Sequence, residues 1–266
     1  MAIRLSTALR NFILEGGSLK QAFANGKLKL YTGSQPTTAD LAPTGTHLCT
    51  YTASSGAHTA EVSATGSLTI SGTTSGSVDT VTVNSIDILG GAVTHTGSHT
   101  TTATAVAAAI NNNPKNFMFV ASSTGASGVV TIKAKPGLGT LGNGWVVSAT
   151  ATTTTVGTFV NLGSGVAGVN PANGLRFGDA SAGVLVKDTT QAWTGVAVGA
   201  GTQTAGWFRL LGAVADDESD DTINNLFLRL DGNVATSGAN LNLTSTSIAN
   251  GATQTISTFS VTEPAA

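Results

Sequence analysis

The sequence predicts a mainly β protein: a β-sandwich host domain, an inserted small β-rich domain with one helix, and an N-terminal helical arm. Three observations lead there. The β-formers Thr and Val are broken throughout by Ser and by many of the 33 Gly, a pattern of short strands joined by turns. Near residue 60 the composition shifts to almost pure Thr, Ser, Gly, Ala and Val, and larger side chains return only beyond the glycine-rich stretch 162–168. The early strands, 27–52, are too few to bury a core and need the strands after 170 to complete it. An insertion into an exposed loop explains that arrangement, because loop closure costs little extra with length. The expected boundaries are an arm at 1–26, a host domain at 27–59 and 161–266, and an insert at 60–160.

Each element has its own signal. Leu5, Leu9, Phe12 and Ile13 recur at spacings of three and four and share one helical face, which Gly16 and Gly17 end. Ser18 to Asn25 forms a further short turn set. Five of the 12 basic residues lie here or just beyond: Arg4, Arg10, Lys20, Lys27 and Lys29. A ten-residue helix is marginal alone, so its stripe needs a surface, either its own β domain or a neighbouring subunit. Leu5, Leu9, Phe12, Ile13, Arg4 and Arg10 are therefore the candidate interface. Strands are expected at 27–31 and 46–52, then at 68–71, 78–89, 116–122, 128–134 and 145–153 within the insert. Thr101–Asn111, Ala-rich and stopped by Asn113-Pro114, reads as the insert's helix, and Ser123-Thr124-Gly125-Ala126-Ser127 as a loop. Leu162–Gly168 reads as a linker. Strands resume at 184–186, 192–198, 207–211, 227–230, 240–243 and 256–261.

Composition excludes several functions. Only 10% of residues are charged and the net charge is -2, which lacks the basic footprint of a nucleic-acid binder. One cysteine, Cys49, cannot form an internal disulfide and reads as a small buried residue. No 18-residue apolar stretch predicts a membrane span, and Met1-Ala2-Ile3-Arg4 opens no signal-peptide pattern, so synthesis and retention in a cytosol are expected. Gly137-x-Gly139-x-x-Gly142 has dinucleotide-fingerprint spacing, yet Trp145-Val146-Val147 follows as a strand where the fingerprint needs a helix. A glycine-rich hairpin loop is the expectation. His95 and His99 lie four apart, but Thr96-Gly97-Ser98 between them is a turn, and both read as surface residues. His47 and His58 stand alone. The run Asp216-Asp217-Glu218-Ser219-Asp220-Asp221 holds five of the 14 acids and reads as a solvated loop rather than a calcium site. Trp145, Trp193 and Trp207 read as core anchors. No catalytic, cofactor-binding or metal-ligating residue is expected, and no cofactor.

Several stretches resemble structural proteins of tailed-bacteriophage virions. They are Gly26-Lys27-Leu28-Lys29-Leu30-Tyr31-Thr32-Gly33-Ser34-Gln35-Pro36 with Thr38-Ala39-Asp40, Ala205-Gly206-Trp207-Phe208-Arg209-Leu210, and Arg229-Leu230-Asp231-Gly232. Thr236–Leu243 and Ile248–Ile256 are similar to the same family. Val81-Thr82-Val83-Asn84 and Thr104–Ile110 resemble the small domains that decorate phage capsid and tail proteins. The resemblance implies a virion location and a capsid-surface decoration or cement protein, present as a multi-copy homo-oligomer that binds the major capsid protein or other virion subunits. Neither nucleic acid nor membrane is an expected partner, from the low charge and the lack of a long apolar stretch. A tail-side tube, adaptor or baseplate component is the alternative. A carbohydrate-binding module using exposed tryptophans is a further one, weakened by an aromatic content of 5%. The family pattern carries no functional residue to transfer.

Overall fold

Alternation of polar and apolar side chains in Lys27–Thr32 puts Leu28 and Leu30 on one face and Lys29 and Tyr31 on the other. That strand sits near the middle of the first of two compact units in a computed structural model that describes residues 3–71, 75–95, 97–124, 127–223 and 225–262. Met1, Ala2, Thr96, Gly125 and Ala126, named above, lie outside the described residues. The protein is mainly β. The first unit comprises Met1–Ala60 and Pro171–Ala266, and the second Glu61–Asn170.

The first unit is organised on one large sheet. Its strands run in the order Arg4–Leu5, Arg229–Ala235, Thr202–Leu211, Lys27–Thr32, His47–Ala53, Trp193–Val196 and Thr253–Ile256, each antiparallel to the next. Leu241–Asn242 adds in parallel to Arg229–Ala235, and Ser247–Ala249 pairs with the start of Thr202–Leu211. Val184–Val186 and Ser260–Thr262 form a separate two-stranded sheet. Register places Phe208 opposite Leu30, and Leu210 between Leu28 and Leu230, so these apolar side chains share one face. All five are fully buried. Leu9, Phe23, Leu175, Phe177, Trp193 and Phe259 join the same core, with Phe208 edge-on to Phe259 at 5.5 Å. Each such fully buried side chain contributes about 1.5–3 kcal/mol. Gly206 is required where it stands: a Cβ there would lie 1.9 Å from the Gly33 carbonyl oxygen, at the bulge between Ala205 and Trp207.

Residues 1–26, expected as a separate arm, belong to this unit. Arg4 and Leu5 pair with Asp231 and Leu230 at the sheet edge. Ser6 caps the helix Thr7–Leu14 by accepting from the Leu9 amide, accepts from the Arg229 amide at 3.1 Å, and donates to the Phe227 carbonyl at 2.8 Å. Leu9 has no exposed surface, and Leu5, Phe12 and Ile13 pack partly buried against the core. The physical reason is that the sheet edge offers unpaired backbone groups and its apolar face needs cover, and this segment supplies both. Ser18 then starts the short helix Leu19–Phe23 through a reciprocal capping box with Gln21.

The second unit is built from two four-stranded sheets and the helix His99–Asn112. One sheet runs Thr155–Val160, Thr65–Ser71, Val129–Ala134, Phe119–Ser123. In the other, Ser77–Val83 pairs with Val147–Thr152, Ile86–Asp87 and Val93–Thr94. Leu68, Ile70, Val78, Val81, Val83, Val106, Ile110, Val130 and Ile132 are wholly buried in one cluster to which both sheets and the helix contribute. The single strand expected over 78–89 is a hairpin, because Asn84 and Ser85 take φ of 49° and 68°, the left-handed pair that a two-residue turn needs. Leu162–Gly168, expected as a linker, is part of this unit. Leu162 is fully buried, Val166 and Val169 pair with Thr65 and Val62, and Asn143 brackets Gly168 through both its amide and its carbonyl.

Because Leu9 is core, Leu9→Ala should lower the unfolding free energy of the first unit by about 2–5 kcal/mol. Deleting residues 3–14 should melt that unit at lower temperature, read by urea titration and calorimetry. Unchanged transitions in both would show that the segment is dispensable to the fold.

Candidate functional site

The polar face of the large sheet holds the densest chemistry in the first unit. Register sets Arg4, Asp231, Arg209 and Lys29 side by side on four successive strands. Arg209 grips Asp231 with two bonds, Nε to Oδ1 at 2.8 Å and Nη2 to Oδ2 at 2.7 Å, and neither side chain has any exposed surface. Such forked, charge-assisted pairs are the strong ones. Trp207, Tyr31 and His47 continue this face on neighbouring strands. Tyr31 stacks on Trp207 at 4.5 Å and lies 5.5 Å from His47. The Trp207 indole N–H is shared between the Thr32 and Thr44 carbonyls.

The acidic run covers that face, which corrects the expectation of a solvated loop. Asp216 accepts two bonds from the Arg229 guanidinium, at 2.6 and 2.7 Å, and the Asp40 carbonyl accepts a third at 3.3 Å. Glu218 accepts from the Lys29 ammonium and the Tyr31 hydroxyl, and is buried. Asp221 accepts from the amides of Leu226 and Phe227 at 2.6 and 2.8 Å. Only Asp217, Ser219 and Asp220 of the run remain exposed. Glu218 takes a φ of 61°, a conformation non-glycine residues seldom adopt, and its two partners hold it there. Burial, and then the bond to Glu218, push the Tyr31 hydroxyl far above its ordinary pKa. Burial holds the His47 imidazolium below its ordinary value, and Lys29 lowers it further. Burial alone pushes the Cys49 thiol up to about 12, so it stays protonated and inert.

The other sequence signals resolve as follows. Of the candidate interface, Leu9 is inaccessible; Leu5, Phe12 and Ile13 are half-buried against their own core; Arg4 is half-buried and Arg10 exposed. Trp193 and Trp207 are fully buried, so neither can stack on a sugar, while Trp145 is half-buried, edge-on to Phe119 at 6.0 Å. His95 is buried, contrary to expectation, and its Nδ1 meets the Thr102 hydroxyl at 2.9 Å; His99 is exposed at the helix start. The glycine loop is filled from within: the buried Glu61 carboxylate accepts from the Gly137 amide at 2.7 and 2.9 Å and from the Gly139 amide at 3.0 Å. A short 3-10 turn, Gly139–Gly142, lies within this loop, and the expected strand follows it as Val147–Thr152. Gly139 has a φ of 47°, and a Cβ there would sit 2.0 Å from the Asn170 amide oxygen. Sequence reasoning missed Glu61 because an isolated Glu carries no motif.

One recess, of about 600 Å³, is an open groove whose lining includes Ile3, Lys187, Asn240 and Phe259, with no carboxylate in it. Among the described residues no cluster of three His, Cys, Asp or Glu is placed to hold a metal, and no helix is long and apolar enough to cross a membrane. The paired charges neutralise one another inside the fold, so this arrangement organises the structure of the first unit. No family model, curated protein or solved structure matches the chain.

Asp231→Asn strands the Arg209 charge in the interior and should cost about 3–5 kcal/mol by urea unfolding. Lys20→Ala, which breaks only the exposed pair with Asp179, should leave the transition where it is. Acid gives a second check. The folded state disfavours protonated His47, so the unfolded chain binds that proton more readily. Stability should hold above about pH 6.5 and decline as pH falls through that value towards the depressed folded pKa. His47→Gln should shrink the decline without abolishing it, because burial lowers His58 as well. Identical pH profiles would remove His47 from the account.

Proposed function

We propose that this chain is a non-enzymatic structural protein of a tailed-bacteriophage virion, a capsid-surface decoration or cement protein that binds neighbouring major capsid subunits. The observation that carries this reading is where the charge goes. Arg209, Arg229, Lys29, Asp231, Asp216 and Glu218 are paired inside the first unit. The 61–170 segment has only Glu61, Asp79, Asp87, Lys115, Lys133 and Lys135 as charged side chains, and Glu61 is buried. What remains outside is largely Thr, Ser, Gly and Asn, a surface that many copies can bring close together without mutual repulsion. The sequence resemblance supports the same reading. In it, the first unit is a sandwich-type host domain that makes the capsid contacts, and the second is an inserted decoration.

Quantitative mass spectrometry of purified particles, separated heads and separated tails tests this. The protein should travel with heads at a copy number commensurate with the capsid lattice, and heads lacking it should break at lower temperature. Recovery with tails alone would make it a tail-side component, and absence from particles would overturn the virion reading.

A further inference from the structure

In the second unit the strand Phe119–Ser123 ends its sheet, with Val129–Ala134 as its one strand neighbour among the described residues. In an antiparallel ladder, alternate residues turn their backbone groups towards the neighbour and away from it. The Lys135 amide donates to the Met118 carbonyl at 2.8 Å. Met118 and Val120 therefore face the neighbouring strand, while Phe119 and Ala121 point their N–H and C=O groups off the sheet. Both of these open residues are taken up by asparagines. Asn111, near the end of the helix His99–Asn112, accepts from the Ala121 amide and donates to the Ala121 carbonyl, each at 2.8 Å. Asn116 accepts from the Phe119 amide at 3.1 Å and donates to the Phe119 carbonyl at 3.0 Å. It also donates to the Ile110 carbonyl at 2.9 Å, which ties it to the helix end. A carboxamide carries the donor and acceptor of a peptide group, so the two side chains stand where the next strand of the sheet would run.

An open edge invites pairing with another chain, and proteins commonly blunt one with charge, proline or a bulge. This strand has none of the three. Between Lys115 and Lys133 there is no charged residue and no proline. The register runs unbroken from Phe119 opposite Ala134 to Ser123 opposite Val130. Residues 117–121 are apolar throughout, with Phe117 78% and Val120 39% exposed. A short uncharged apolar segment of this kind pairs readily with its own copies once its backbone is open. We propose that Asn111 and Asn116 are edge guards: their carboxamides occupy the open side of Phe119–Ser123 and keep two copies of the chain from joining their sheets there. Identical edges related by a two-fold axis complement each other in an antiparallel pair, so the chain itself is the partner held off. The inference concerns the isolated protein and does not rest on the virion reading.

Replacing both guards in the full chain, Asn111→Ala with Asn116→Ala, should raise its association constant by about tenfold or more over the unmutated protein. Sedimentation velocity over a concentration series reads this. Hydrogen exchange places the new contact: the Phe119 and Ala121 amides should lose protection in the dilute variant and regain it as the variant associates. Val120→Glu in the same background puts a charge on the strand opposite Lys133 and should return association to the unmutated level. Should the double change unfold the chain, as read by circular dichroism, Asn111→Ala alone takes its place, because Asn116 then keeps its bond to the helix end. A folded variant that associates no more than the unmutated chain overturns the inference. Added association that Val120→Glu leaves unchanged also overturns it, since the contact would then lie elsewhere.

Discussion

A row of charge across four neighbouring strands sets the terms for the first unit. Arg4, Asp231, Arg209 and Lys29 stand in register on one face of the sheet, and at its centre Arg209 and Asp231 are wholly enclosed. Charge removed from water must be paired and hydrogen-bonded, or it destabilises the state that buries it. One forked ion pair meets that demand for Arg209. The neighbouring cations need carboxylates from elsewhere: Lys29 takes Glu218, and the likewise buried Arg229 takes Asp216. The acidic segment is drawn down onto the sheet by this requirement, and once there it accepts from the Tyr31 hydroxyl as well. The opposite face of the same strands is apolar, with Leu28, Leu30, Phe208, Leu210 and Leu230 packed against the core aromatics. One sheet thus has two buried faces held by different physics.

The same constraint accounts for the character of the surface. A chain with few charges that places many of them inside leaves hydroxyl and amide groups to meet the solvent. The second unit shows the consequence in miniature, where cross-strand pairs are hydroxyl to hydroxyl: Thr80 with Thr150 at 2.7 Å and Thr82 with Ser148 at 3.0 Å. Its one buried acid, Glu61, is bound by backbone amides instead of by a cation. A glycine-rich loop has the amide-lined concavity that phosphate sites use. Here the chain's own carboxylate fills it, so a motif spelled for ligand binding serves to fasten the loop.

Much of the fold was legible residue by residue. Leu28 and Leu30 announced a strand with one apolar face, and Ala-rich Thr101–Asn111 announced the helix that runs over His99–Asn112. The strands failed to be legible where a turn left a weak trace: Asn84-Ser85 splits an apolar alternation that looks continuous. Leu162 was hidden by its glycine neighbours, because a glycine-rich stretch reads as a linker until an apolar side chain within it finds a core. The candidate site was least legible. Leu9 looked like a docking residue because a helical stripe shows only that a face is covered, never by what.

The sequence by itself determined a mainly β chain, poor in charge, with its acids clustered and its basic residues weighted towards the beginning. Those properties follow from composition and short-range periodicity, which need no partner to be read. Tertiary structure alone decided that Asp216 and Glu218 turn inward, that Leu9 is core, and that Glu61 closes the glycine loop. Each of these pairs residues far apart in the chain, Lys29 with Glu218 and Glu61 with Gly137 among them. A charged residue prefers water until a particular fold offers it an opposite charge or a set of amides at bonding distance. That offer exists only after the strands have taken their register.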